Sequence, residues 1–392
     1  MADELIALRR ELHRVPELDR ELPRTQALVL DAIEGLDLEV TTGRGLSSVT
    51  AVLRGGAHDG TGPVVLLRGD MDALPVAEET GLPYASGHDG QMHACGHDLH
   101  VAGLVGAARL LHEHRAELAG DVVLMWQPAE ETTAGALAMI DEGLLEAAGR
   151  PTDAAYCLHV MSSGRPLGTW FSRPGPLMAA SDEFVVRVVG VGGHASAPHL
   201  ARDPIPVACE MVTALQTLVT RRVDIDDPVV LTVGRFAAGT KENIIPDEAV
   251  FEATIRSFSP ANRVLLEDAV HRLLHGIADA HGLKAEIAWT PGYPPTVNDV
   301  GEYAFARATL EDLFGPERYD EEPFADPGTE DFSYVLERVP GAYVSISACP
   351  ADADPATAPD NHSSRAVFDD SVLPDCAAFL AEVASRRIAR GR

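Results

Sequence analysis

The sequence predicts an α/β fold, a mostly parallel-sheet domain interrupted by a smaller inserted α+β domain. Three observations predict it. In the first half, short unbroken apolar runs alternate with helical patterns, as in a parallel sheet buried on both faces. Near residue 181 the order becomes strand, helix, strand, strand, helix, strand, which fits an open sheet of about four strands carrying two helices. The Pro-rich stretch Pro291–Pro295 then marks the return to the first domain.

Leu5, Leu8 and Leu12 share one face of an N-terminal helix, and Thr25 is a candidate cap for a second helix ending near Gly35. Strands are expected at Ser48–Leu53, Val64–Leu67, Val122–Trp126 and Ala154–Leu158, each an apolar run of strand length. Helical stretches are expected over 98–114 and 134–142, the second closed by Gly143. In the inserted segment Glu183–Val189, Val229–Phe236, Ala249–Ile255 and Ala285–Trp289 read as strands, with helices at Pro204–Thr220 and Asn262–His281. Helices near 299–314 and 330–337, a strand at Tyr343–Ser347 and a last helix from residue 371 complete the larger domain.

At 392 residues the chain is long enough for two or three domains of roughly 150 residues each. Its formal charge of −29 repels phosphate backbones and anionic headgroups, which argues against nucleic-acid and membrane-surface partners. The longest apolar run, Val101–Leu111, is interrupted by Arg109 and is too short to span a bilayer. The N-terminus shows an amphipathic helix pattern with no export signal. Five scattered cysteines without C-x-x-C spacing give no disulfide framework, so a cytoplasmic protein is expected. Of these, Cys157, Cys209, Cys349 and Cys376 lie in apolar segments and are expected in the core.

The polar clusters follow apolar strands: VVLLR runs into Gly69-Asp70-Met71-Asp72, VVLMW into Gln127-Pro128-Ala129-Glu130-Glu131, and AAYCL into His159. In open α/β sheets, sites form outside the carboxyl ends of strands, so these groups should converge. Cys95 and His97 offer a thiolate and an imidazole to a metal, with Asp98 or His100 as candidates to orient them. Cys-x-His alone also fits a buried cysteine beside capping residues. Adjacent carboxylates at Glu130 and Glu131 repel unless a cation or a proton intervenes. One as ligand and one as general base resolves that cost; a solvated helix N-terminus is the other explanation. His159 and His362 bring the set to enough ligands for two metals. Gly190-Val191-Gly192-Gly193-His194 lacks the register and lysine of a nucleotide loop.

Together the stretches RGDMDALP (68–75), MHACGHDLH (92–100), QPAEE (127–131), LHV (158–160), GVGGHASAPH (190–199), NIIPDEA (243–249), GTEDFSY (328–334) and NHSS (361–364) closely resemble the M20 metallopeptidases. The resemblance is to their N-acyl-amino-acid amidohydrolase subgroup and covers essentially the whole chain. It implies a metal-dependent amidohydrolase cleaving N-acyl-L-amino acids, with a dipeptidase or carboxypeptidase on the same scaffold as the alternative. It implies a catalytic domain of residues 1–180 and 294–392 around a dimerisation, or lid, domain of 181–293, and hence a homodimer. It implies Cys95, His97, Glu131, His159 and His362 as ligands of two divalent ions, Zn²⁺ first and Mn²⁺ or Co²⁺ otherwise. Glu130 matches the general base and His194 a second catalytic position. Asn243, Arg256, Gly328 and Thr329 match substrate-binding positions. Asp70 and Asp72 stand where the wider family has a metal-binding His-x-Asp, so here they should support the ligands. Asp326-Pro327 replaces the subgroup's usual Met-Gly before Gly328, which touches acyl specificity and not the metal site.

Overall fold

The computed structural model describes residues 1–391. The chain opens with α1 (Ala2–Arg14) and α2 (Pro23–Ile33), followed by β1 (Glu39–Thr42), β2 (Val49–Leu53) and β3 (Val64–Asp70). Next come α3 (His97–Glu113), β4 (Asp121–Gln127), α4 (Gly135–Asp141), β5 (Ala154–Met161) and β6 (Trp170–Ser172). The inserted part holds β7 (Gly175–Met178), β8 (Ala180–Val189), β9 (Gly193–His194), α5 (Pro204–Arg222), β10 (Val229–Ala238) and β11 (Ile244–Ile245). It continues through β12 (Glu248–Ser257), α6 (Pro260–Ala280), β13 (Lys284–Pro291) and β14 (Thr296–Asn298). The return supplies α7 (Val300–Phe314), β15 (Tyr319–Glu321), α8 (Ser333–Leu336), β16 (Gly341–Ser347) and α9 (Leu373–Arg390).

The chain forms two compact units. Unit 1 comprises Met1–Gly175, Val297–Phe324 and Asp331–Arg392; unit 2 comprises Pro176–Thr296 and Ala325–Glu330. In unit 1 a mixed sheet runs β1-β2-β4-β3-β5-β16-β6-β15. Its centre, β4-β3-β5-β16, is parallel, and the antiparallel pairings lie towards the edges. Every residue of β3 and of β4 is buried, which accounts for their unbroken apolar sequence. Each of Val64, Val65, Leu66 and Leu67 has no exposed surface, worth about 1.5–3 kcal/mol per side chain. Helix α3 packs against β3, β5 and α9, and α1 lies against α3.

Unit 2 builds the four-stranded antiparallel sheet β10-β12-β8-β13, with α5 and α6 packed against it. Strand β8 alternates between buried and exposed residues over most of its length, so this sheet has one covered face, and a single apolar cluster joins sheet and helices. Asp203 and Ser259 cap α5 and α6 through their side chains, each with proline in the first turn.

Two local expectations fail, and several short strands go unread. Thr25 does not cap α2: Leu22 holds that position, Pro23 opens the helix, and the buried Thr25 hydroxyl donates to Glu17 instead. Cys209 faces solvent from α5, where one apolar neighbour pattern concealed which side of the helix it occupies. The short strands β1, β6, β7, β14 and β15 carry too few residues for a period to show.

Beneath α1 lies a buried polar knot. The guanidinium of Arg9 has no exposed surface and pairs with Asp98 at 2.8 Å, while His13 Nδ1 is 2.7 Å from the same carboxylate oxygen. His13 Nε2 is 3.4 Å from Glu78 Oε1, and the Ser86 N–H donates to Glu78 Oε2 at 2.6 Å. Burial pushes the Glu78 carboxyl up, but bonds from His13, Thr80 and Ser86 outweigh it and bring its pKa down to about 2. A carboxyl depressed in the folded state stabilises above its unfolded value and loses that stabilisation as pH falls through the folded one. Glu78→Gln should therefore lower the unfolding midpoint at pH 7. The gap to wild type should close as pH drops from 4.5 to about 2 in denaturant melts, and a pH-independent gap would remove Glu78 from the knot.

Candidate metal centre

Three adjacent parallel strands deliver the cluster. β3 ends at Asp70, β4 ends at Gln127, and β5 carries His159 near its end. Cys95 and His97 flank Gly96, which caps α3 in the left-handed region at φ +80°. A Cβ at Gly96 would overlap Val160 and lie 3.0 Å from the Phe368 ring, so only glycine lets the two ligands leave the turn in this direction.

Unit 1 brings all five expected ligands together. Donor atoms of Cys95, His97 and His159 lie within 4.8 Å of one another, and so do those of Cys95, Glu131 and His362. Cys95 belongs to both triplets. Glu130, buried, lies within the same distance of His97 and Glu131. His159 Nε2 is 3.4 Å from Cys95 Sγ, and His362 Nε2 is 3.3 Å from Glu131 Oε1.

Neighbours aim His97 and the acidic pair. His97 Nδ1 donates to the Asp72 carbonyl at 2.8 Å, which turns the buried Nε2 towards the cluster, 3.4 Å from Asp70 Oδ2. The Asp72 carboxylate accepts the N–H groups of Glu130 and Glu131, both at 3.1 Å. One aspartate thus fixes an imidazole and the acidic pair. The turn behind that pair is strained: Ala129 and Ala134 have φ of +61° and +54°, a conformation that costs about 1–3 kcal/mol per residue. Arg20 donates to Thr133 Oγ1 and O at 2.9 and 2.8 Å, and Asp19 accepts from Thr132 and Thr133, closing the turn from outside.

Of the candidates for orienting the ligands, Asp98 turns away to Arg9 and His13. His100 donates from Nδ1 to Asp70 at 2.5 Å and accepts the Val160 N–H at Nε2, so both nitrogens are occupied. Asp70 also meets Arg68 Nη1 at 2.6 Å. Burial pushes the Asp70 carboxyl up, but the Arg68 guanidinium, with His97 and His100, holds it well below the usual carboxylate range. Arg68 further bonds Gln127 Oε1 at 2.9 Å and Asp331 at 3.3 Å. Asp331 accepts from Gln127 at 2.7 Å and from the Ala136 N–H at 2.9 Å. The supporting roles of Arg68, Gln127 and Asp331 escape sequence reasoning. The available signal is an arginine and a glutamine closing two otherwise apolar strands.

The remaining expected residues lie in unit 2, at two ends of its sheet. His194 pairs with Ile244 beside Asn243, whose carbonyl accepts the Ala195 N–H. Ser196 N–H donates to His194 Nδ1 at 3.1 Å, so the proton of the neutral ring sits on Nε2. Arg256 pairs with Ser181 at the far end of β12. The Gly328 carbonyl accepts from Ala179 at that same end, next to Thr329. From Glu248 to Arg256 the strand advances eight residues, ~26 Å at about 3.3 Å each.

The model of "Peptidase family M20/M25/M40" matches residues 66–386. The chain belongs to the M20 peptidase family. An N-acetyl-L-cysteine deacetylase of Bacillus subtilis is 37% identical to it, across 98% of this chain and 88% of that protein. The Arabidopsis thaliana IAA-amino acid hydrolase ILR1-like 4 is 36% identical across 98% and 86%. Among solved structures, the Bacillus subtilis YXEP protein, described as a dinuclear metal-binding peptidase of family M20, superposes with a TM-score of 0.83. It shares 32% identity over 99% of this chain and 98% of its own. These relatives match the N-acyl-amino-acid amidohydrolase subgroup, and this M20 protein is a metal-dependent hydrolase.

Its donor set fits two divalent ions: two triplets share a sulfur, and buried His97 Nε2 makes no hydrogen bond within the cluster. Gly96→Ala should lower stability by at least about 1–3 kcal/mol, since it adds left-handed strain to a steric overlap. Thermal melts of the metal-free protein measure this, and a wild-type midpoint would contradict the tight turn between the two ligands.

Proposed function

We propose that this M20 enzyme hydrolyses the amide bond of N-acyl-L-amino acids, releasing a carboxylic acid and a free amino acid. One observation carries the reading: two ligand triplets share Cys95, with the buried Glu130 carboxylate beside them. Cys95, His97 and His159 would hold one ion, and Cys95, Glu131 and His362 the other. Thiolate and imidazole favour Zn²⁺, while carboxylate and imidazole also accept Mn²⁺ or Co²⁺. Bound there, a divalent pair supplies Lewis acidity and lowers the pKa of water from about 15.7 towards ~7.

Glu130, held by its N–H on Asp72, takes a proton from the attacking water and returns it to the leaving amine. His194 presents Nε2–H as a donor to the oxyanion that develops on the amide oxygen. Arg256 and Asn243 bind the free carboxylate of the amino acid, and the Gly328–Thr329 backbone lines the same substrate. Among the described residues no helix is long and apolar enough to cross a membrane. All five cysteines are free, in keeping with a cytoplasmic location.

The length of the unit 2 sheet supports a homodimer. A single chain holds His194 and Asn243 at one end and Arg256 at the other, farther apart than a small N-acyl amino acid reaches. His194 and Asn243 therefore serve the partner's substrate. Ile244, paired with His194, and the nearby Val191 and Leu200 have 49%, 49% and 78% of their surface exposed, which suits a covered interface.

Acetyl-, benzoyl- and indole-acetyl-amino acids, assayed against dipeptides with metals added back, test the substrate class. Preferential dipeptide cleavage would replace it with a dipeptidase. Glu130→Ala should keep its metal and lose on the order of 10²–10⁴-fold in turnover. Metal analysis beside kinetics checks this, and near wild-type turnover would sink the assignment. Co-expressing inactive Glu130→Ala and His194→Ala chains should restore activity in mixed dimers, because one site per heterodimer keeps both groups. Heterodimers that form and stay inactive would return His194 to its own subunit.

A further inference from the structure

Asn361 immediately precedes the exposed ligand His362, on the loop Pro359–Ser364. Its carboxamide is used completely. Nδ2 donates towards Cys95 Sγ at 3.7 Å, to the Cys95 carbonyl at 3.4 Å and to the Val160 carbonyl at 3.1 Å. Oδ1 accepts the Ser162 N–H at 2.9 Å and its hydroxyl at 3.0 Å. The orientation of the amide is therefore fixed, since a flipped group would set NH₂ against the Ser162 N–H and oxygen against three acceptors.

The next residue depends on this anchor. His362 has φ of +69°, a left-handed backbone uncommon outside glycine and held here by its surroundings. The imposing contacts are the His362 N–H on the Ala94 carbonyl at 2.8 Å and the Asn361 side chain one residue earlier. Ser162 Oγ also lies 2.9 Å from the Pro359 carbonyl, tying the start of the loop to the end of β5.

We propose that Asn361 is the positioning residue of the metal centre, orienting the shared Cys95 sulfur through its N–H and holding His362 in its left-handed conformation. The side chain acts through two ligands at once, one belonging to both triplets and one to the outer triplet alone. Asn361→Asp keeps shape and the Ser162 bonds while replacing the donor with an oxygen that faces one sulfur and two carbonyls.

The proposal rests on the dinuclear reading above, and the test separates the two. Metal-free wild type, Asn361→Asp and Ser162→Ala are titrated with Co²⁺, following both stoichiometry and the thiolate-to-cobalt charge-transfer absorption. Wild type should bind two ions per chain with that absorption; a wild type binding none defeats the dinuclear reading itself. Asn361→Asp should bind at least one ion 10–100-fold more weakly, with an altered charge-transfer band, as expected when the partner of a ligand is lost. Ser162→Ala, which keeps the carboxamide but removes one anchor, should move the same way by less. A wild-type affinity and band in Asn361→Asp overturns the proposal. If that variant does not fold, a wild-type affinity and band in Ser162→Ala overturns it.

Discussion

The buried guanidinium of Arg68 is the interaction on which the metal centre depends. A cation without exposed surface is tolerable only if its donors are met by acceptors of opposite charge or strong polarity. Arg68 meets Asp70 on its own strand, Gln127 on the neighbouring one and Asp331 ahead of α8. Asp70 ends β3, and Gln127 ends β4, the strand that leads into Glu130 and Glu131. Asp70 passes the constraint to His100 and lies 3.4 Å from His97 Nε2, while Asp331 passes it to the turn bearing Glu130 and Glu131 through the Ala136 N–H. Removing any one partner leaves a charge in a dry interior, so the arrangement is held as a unit.

That network explains how an anionic, metal-hungry cluster coexists with a closely packed core. Burial alone would neutralise the acids, and repulsion alone would spread them. Compensation comes from fixed donors: one guanidinium, one carboxamide and the backbone N–H groups of Glu130, Glu131 and Ala136. The histidines divide by the same logic. His100 has both nitrogens hydrogen-bonded and serves as a strut, whereas His97 has only Nδ1 hydrogen-bonded and turns Nε2 towards the cluster. His93 is buried with neither nitrogen bonded, and burial brings its pKa down to about 3, so it stays a neutral filler between α1 and the ligand turn.

Much of this was legible in the sequence, for identifiable reasons. The central strands could be read because four-residue apolar runs such as Val64–Leu67 are buried on both faces, which leaves no polar residue to blur them. The candidate ligands could be proposed because Cys95, His97, Glu131, His159 and His362 are chemically conspicuous and follow strands or sit in recognisable motifs. Orientation could not. Asp98 adjoins His97 in sequence but belongs to Arg9, 89 positions earlier, and the true partner of His97 is a backbone carbonyl at Asp72, which no residue type advertises. Likewise Asp331 reaches Gln127 across 204 positions. Alternation located the strands of unit 2, but only their register shows that Arg256 and His194 stand at opposite ends.

The left-handed residues Ala129, Ala134 and His362 also bear on how this protein tolerates engineering. Natural proteins sit just above a stability threshold, and substitutions that relieve local strain are readily found by selection for heat resistance. All three positions flank or form the ligand-bearing turns, and none of them is glycine, the residue that adopts this backbone at least steric cost. A campaign for thermostability alone would be drawn to these sites and would harvest rigidity elsewhere at the expense of aim here. Ranking variants by melting temperature is therefore a poor guide to catalysts on this scaffold, whereas the helical surfaces of α5 and α6 can be redesigned without touching the ligand turns.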